Sequence, residues 1–197
     1  TDYFRSETED KMEELFTSDI LSNINGTVKD VEVLEVKPSF TPEGQIKCDV
    51  KISCTVVKYK TTRDMSFTAE IDGIKNVYKE GEGLEFKIKP HKDCYIRAFD
   101  FCGESYILLP NEIELSKQLS AQTVYEFPDK NLIENYEMII ADPNLKRETN
   151  RLVIVLLKED LYYTGDIDYK PITDWIMSIP PDERLIESFA FDVYREK

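Results

Sequence analysis

The feature that most restricts what this chain can fold into is residues 79–111, KEGEGLEFKIKPHKDCYIRAFDFCGESYILLPN, which reads as short strands separated by turn residues. Gly81-Glu82-Gly83 breaks the chain, since glycine reaches backbone conformations closed to other residues. Leu84, Phe86 and Ile88 then alternate with Glu85, Lys87 and Lys89, the period-two pattern of a strand with one buried face. Pro90 ends that strand because it has no N–H for the ladder. Residues 94–100 form a second strand and 105–109 a third. Phe101-Cys102-Gly103-Glu104 is the tight turn between them, with Gly103 as its permissive residue. Pro110, in Leu109-Pro110-Asn111, stops the third strand.

The rest of the chain extends this β-rich pattern. Ser6-Glu7-Thr8-Glu9 fits a capping box, and Met12, Phe16, Ile20 and Ile24 recur every four residues with Leu15 and Leu21 beside them, which predicts a helix ended by Asn25-Gly26. A strand over 27–37 and a Pro/Gly turn over 38–44 follow. Ile46, Cys48, Val50, Ile52, Cys54 and Val56 then alternate with polar residues in the cleanest strand of the protein. Met65, Phe67, Ala69 and Ile71 mark another strand, turned by Asp72-Gly73. Residues 112–122 read as a polar loop with a short helical turn, and 124–127 as a brief strand stopped by Pro128. Residues 134–140 fit strand or helix, Asp142-Pro143-Asn144 is a turn, and Glu148 suits either a helix end or the start of the next strand. Residues 151–157 are a buried strand, 173–178 a short helix carrying Trp175, Pro180-Pro181 a break and 186–194 a last strand. The fold expected is mainly β (α+β): an antiparallel Greek-key β-sandwich over 61–197, ending in a short C-terminal helix, preceded by a small helix-plus-hairpin module over 1–60.

Gly81, Leu84, Phe86, Cys94, Tyr95, Phe99, Gly103, Leu109, Pro110 and Asn111 carry a resemblance to a bacterial domain of unknown function, continued more loosely by Tyr125-Glu126-Phe127-Pro128 and the strand at 151–157. The resemblance covers roughly 62–165. It implies a protein of the exported and envelope class, in a family also found beside kinase-like and caspase-like peptidase domains. It supplies no catalytic residues.

Composition narrows the function classes. With 25 Lys+Arg against 39 Asp+Glu and a net charge of −14, the chain has no cationic surplus to displace phosphate counterions, which argues against nucleic acid, and an anionic membrane surface would repel it. Apolar residues at 41% with 11% aromatics support a packed core. No segment reaches the roughly 18 to 20 apolar residues of a transmembrane helix. The chain starts at Thr1 without a signal peptide, and the resemblance favours a removed export signal or lipoprotein leader, with a periplasmic or outer-surface location. Cys48 and Cys54 sit on one strand face about 20 Å apart, beyond the reach of a disulfide. Pairing of Cys94 with Cys102 is disfavoured by their offset along the hairpin, so free, mostly buried thiols are expected.

Few residues offer chemistry. His91 is the only histidine, and on an extended strand it points away from Cys94, so a turn histidine beside a core cysteine is favoured over a Cys–His nucleophile. With no CxxC and no second histidine, no zinc site is expected, nor any metal or cofactor. The most distinctive cluster is Glu159-Asp160-Leu161-Tyr162-Tyr163-Thr164-Gly165-Asp166-Ile167-Asp168-Tyr169, followed by Asp174 and Trp175. Tyr162, Asp166, Asp168, Tyr169 and Trp175 are the candidate ligand-binding residues, as a platform for a sugar face or an oxygen-rich calcium loop. The plainer reading is a solvated acidic loop whose aromatic rings cover one end of the sandwich. Three functions follow: a non-catalytic module binding another envelope protein through a sheet edge or exposed loops; a carbohydrate or small-ligand binder using 159–175; and, third, a carboxylate-based hydrolase.

Overall fold

The computed structural model describes residues 26–40, 46–58, 60–140 and 142–195, and in them the protein is mainly β. The helix expected over 6–24 lies outside the described residues. β1 (Gly26–Phe40) and β2 (Ile46–Lys58) pair antiparallel as a sheet of their own. β1 runs through Pro38, which faces Cys48, rather than ending at Lys37. Its sequence does not alternate evenly, and register shifts between Lys29 and Glu32 and between Val33 and Glu35 explain why. An extra residue in one strand flips the face of everything beyond it. Val33 therefore faces Ile52, while Val36 faces Val50 and Pro38 faces Cys48, so odd and even positions of β1 meet the even positions of β2.

The remaining strands make two sheets. β3 (Ala69–Asp72), β5 (Phe86–Pro90) and β9 (Tyr125–Phe127) form a three-stranded sheet in the order β3-β5-β9. The larger sheet runs β4 (Val77–Lys79), β11 (Arg184–Tyr194), β10 (Arg147–Leu157), β6 (Cys94–Phe101) and β7 (Ser105–Leu109), with β8 (Gln118–Leu119) paired to the first half of β6. Its pairs are antiparallel except β4–β11, which is parallel, so this sheet is mixed.

Side-chain parity decides what each face covers. Leu152, Ile154 and Leu156 of β10, with Cys94, Ile96 and Ala98 of β6, join Phe86, Ile88 and Phe127 of the small sheet in one core. Val153, Val155 and Leu157, with Phe99 and Phe101, pack on the opposite face against α1 (Tyr169–Ser178). This is why 152–157 is an unbroken apolar run: both faces of a central strand are buried. Helix α1 buries Tyr169, Ile172, Thr173, Ile176 and Met177, a single stripe at 3.6-residue spacing. It begins four residues before the expected start because Pro171 sits in the first turn, where its missing N–H has no intrahelical partner to lose.

Three connections differ from the sequence reading. Residues 130–136 are a 3-10 helix, Lys130–Tyr136. The chain then runs extended against 81–84, with Leu84 N–H donating to Tyr136 O at 2.9 Å and Met138 N–H to Glu82 O at 2.9 Å. The segment 65–66 is a turn, so the strand expected from Met65 begins at Ala69. Part of the loop expected over 112–122 is β8, two residues too short to show any periodicity.

Candidate functional site

The acidic-aromatic loop is organised by a residue that its own sequence does not reveal. Arg97 on β6 is 1% exposed and points to the α1 side of the sheet. Its guanidinium donates to Leu161 O at 2.8 Å, Ile96 O at 2.7 Å, Ser116 Oγ at 3.0 Å and Asp160 Oδ1 at 2.6 Å. The Tyr162 ring lies over it, with the guanidinium carbon 4.8 Å from the ring centroid. Burial works to raise Asp160, but hydrogen bonds from Ser116, Arg97 and Tyr162 outweigh it and hold the carboxyl below its usual range.

The five candidate ligand residues do not converge on one surface. Tyr162 is 54% exposed, and Asp166 and Asp168 are exposed beyond it. Tyr169, by contrast, is buried with its ring edge-on to Phe101 at 4.9 Å. Trp175 is half-buried, packed edge-on against Phe99 at 6.1 Å and Tyr163 at 5.5 Å. Gly165 lies under the Tyr163 ring, where a Cβ would come 2.6 Å from the hydroxyl oxygen. Two of the five rings and carboxylates expected to meet a ligand are thus engaged in packing α1. A cavity of about 80 Å³ remains between Arg97, Phe99, Ile107, Leu109, Tyr162 and Tyr163. That is room for waters rather than for a sugar ring, since ligand pockets run to about 300–1,000 Å³.

A larger groove of about 350 Å³ opens on the small sheet. Lys75, Glu82, Glu85, Lys87, Glu126 and Lys130 line its rim, and most of these charges are paired across it: Lys75 with Glu82, Lys87 with Glu126 at 2.8 Å and Lys130 with Glu126 at 3.2 Å. Tyr78, Phe86, Phe127 and Ile133 also line it, and a Cβ at Gly83 would meet Ile133 Cγ2 at 2.6 Å. The charge pairs cancel one another, so this groove favours neither sign of ligand.

His91 and Cys94 are apart in their chemistry. The His91 ring meets Thr68 Oγ1 at 2.5 Å and Glu70 Oε1 at 3.4 Å. Cys94 is fully buried, and desolvation pushes its thiol up to about 12. Cys48 and Cys102 are half-buried and Cys54 is exposed, so of the four free thiols only Cys94 is a core residue. Among the described residues no group of three or more His, Cys, Asp and Glu is arranged to hold a metal.

Sequence reasoning also missed a set of buried polar groups at the β6–β7 end of the large sheet. Asp100, Glu148 and Asn150 are 5%, 5% and 2% exposed. Gly103, read as a residue permitting a turn, has no positive φ; it is small because a Cβ there would come 2.7 Å from Glu148 Oε1, which its N–H bonds at 3.0 Å. A third buried carboxylate, Glu114, accepts from Tyr136 Oη at 3.0 Å, and burial pushes that phenol up to about 12.

Among the described residues no helix is long and apolar enough to cross a membrane. No curated protein matches the chain. Residues 77–147, from β4 to the first residue of β10, match the family described as Domain of unknown function (DUF4384), a narrower span than 62–165 that takes in most of the groove and leaves 159–175 and α1 outside.

Proposed function

We propose that this chain is a non-catalytic interaction module of the bacterial cell envelope that binds another envelope protein along the β1–β2 hairpin. The observation that carries this reading is the hairpin itself. Among the described residues both of its strands are edges, 15 and 13 residues long, and neither has a second neighbour in a sheet. Long free edges are templates for an added strand, and an isolated two-stranded ribbon is marginal in water. Val33, Leu34 and Val50 are 43%, 49% and 46% exposed on it. Export to the periplasm or outer surface, and the Greek-key, helix-plus-hairpin organisation, belong to the same reading.

The test is capture from an envelope fraction on the immobilised chain, followed by lysine crosslinking. Crosslinks from one stoichiometric protein at Lys37, Lys47 and Lys51, lost with the protein in Val50→Lys, are the expected result. Crosslinks confined to the residues beyond 60 would overturn it. The ligand-binding alternative keeps Tyr162 as its exposed ring over Arg97, and a glycan-dependent change in the fluorescence of the sole tryptophan, Trp175, would favour it.

A further inference from the structure

The β6–β7 end of the large sheet buries oxygen acceptors with nothing to accept. Asp100 belongs to the β6 face that carries Ile96 and Ala98, and Glu148 and Asn150 to the β10 face that carries Leu152. The register sets them side by side, with Asp100 opposite Leu152 and Phe101 opposite Arg151. Asn150 Nδ2 donates to Asp100 Oδ2 at 3.0 Å, and the Gly103 N–H donates to Glu148 Oε1 at 3.0 Å. Each bond uses one polar atom of its residue. The others, Asp100 Oδ1, Glu148 Oε2 and Asn150 Oδ1, are buried with no protein partner.

All three unsatisfied atoms are oxygens, and two belong to carboxylates. Neither carboxylate has an ion pair among the described residues, whose bridges engage other acids. A buried carboxylate without a counter-charge is among the costliest groups a fold can carry, and two neighbours of one sign add repulsion to desolvation. The Asn150 amide does not relieve this, since its one bond reaches Asp100 Oδ2 and leaves Asp100 Oδ1, Glu148 Oε2 and its own oxygen without partners. What satisfies acceptors of this kind together is a positive charge.

We infer that Asp100, Glu148 and Asn150 are protein ligands of a hard divalent cation, with calcium the ion they suit best. The two carboxylates offset the double charge, and the amide oxygen completes a donor set of oxygens alone. Calcium tolerates irregular geometry and takes carboxylate and amide oxygens directly, whereas magnesium demands octahedral regularity and keeps several waters. The buried setting of these oxygens favours the former. Approach is from the β6–β7 turn, where Gly103 and Glu104 are exposed and the Glu104 carboxylate accepts from Tyr106 Oη at 2.9 Å. This place is separate from the 159–175 loop, which lies beyond the other face of β6.

The experiment uses the full chain, stripped with chelator and dialysed, with calcium chloride as the probe. Calcium at saturation raises the midpoint of thermal unfolding by ~3–6 °C, with magnesium giving less at equal concentration, and calorimetry shows one site per chain. Asp100→Asn and Glu148→Gln each abolish the calcium response, while Glu112→Gln, an exposed acid elsewhere, leaves it intact. Asn150→Asp keeps oxygen donors and keeps the response, which guards against reading a folding defect as a lost ligand. Absence of a saturable response in the native chain overturns the assignment. So does an equal response in Asp100→Asn and Glu148→Gln, which would mark diffuse binding to an acidic surface. A gain in metal-free stability in those variants with no calcium response in the native chain also overturns it, leaving the carboxylates to share a proton.

Discussion

Arg97 and Asp100 sit three residues apart on β6, on opposite faces of one sheet, and each is a charge placed where a hydrophobic side chain would ordinarily go. Arg97 is satisfied by four acceptors and a ring, so it works as a clamp on the 159–163 loop. Arg97→Met fills the volume but frees Asp160, Ser116 and the Leu161 carbonyl. Because Asp160 can turn to water, the cost is expected near the lower end for a broken buried pair, about 2–3 kcal/mol, read from urea unfolding together with Trp175 emission. A change under about 0.5 kcal/mol would show that the clamp is unimportant. Asp100 makes the opposite prediction. Burial pushes its carboxyl up to about 6, the Asn150 hydrogen bond works against that, and Glu148 adds to it. Glu148 and Asn150 of β10, Cys102 of the turn and Tyr106 of β7 are the polar groups around it. An unfolded aspartate titrates near 3.9, so the folded state binds its proton first as pH falls. The penalty for the ionised form is present in full above about 6 and is relieved between about 6 and 4. With chelator present, Asp100→Asn therefore gains on the native chain at neutral pH and loses that advantage by about pH 4, a swing of roughly 2–3 kcal/mol. Parallel pH profiles of unfolding midpoint for the two proteins would contradict it.

At the scale of elements, the 3-10 helix and the 81–84 strand are locked by close approach rather than by regular pairing. Gly83 forms an isolated bridge with Glu137, flanked by the Leu84 N–H to Tyr136 O and Met138 N–H to Glu82 O bonds, and its α-carbon faces Ile133. Gly83→Ala places a Cβ 2.6 Å from Ile133 Cγ2, and the branched side chain has little room to yield. A loss of about 1–2 kcal/mol is expected, largely recovered in the Gly83→Ala, Ile133→Ala pair relative to Ile133→Ala alone; simple additivity in that double-mutant cycle would contradict the contact. The elements also show what could be read beforehand. Strands β5, β6, β7, β10 and β11 were legible because alternation or an apolar run bounded by glycine and proline marks them. The first residues of α1 were hidden by Pro171, β8 by its length, and the bulges of β1 by a pattern that looks merely irregular until the partner strand is known. The site was less legible than the fold. Arg97 and Asp100 have opposite parity on β6 and mark no single polar face, and nothing local tells that β6 is covered on both sides. Tyr169 and Trp175 looked like a platform because aromatic rings beside acids serve ligand faces and packed helices equally well.

Among the described residues, a sandwich-like body of two sheets and a helix around two cores adjoins in sequence a hairpin whose strands pair only with each other. Stability is expected to divide the same way. Amides of β6 and β10, each flanked on both sides, exchange slowest, and those of β1 and β2 exchange through opening of the hairpin alone. A net charge of −14 steers the chain away from other acidic surfaces, so association with its partner is expected to slow as salt is raised only if that partner is basic. The most direct test is backbone hydrogen exchange on the full chain, alone and with its captured envelope partner. An interaction module that works by its hairpin shows slowed exchange along β1 or β2 on binding, with β6 and β10 unchanged. Protection confined to the body, with β1 and β2 exchanging as before, would contradict it.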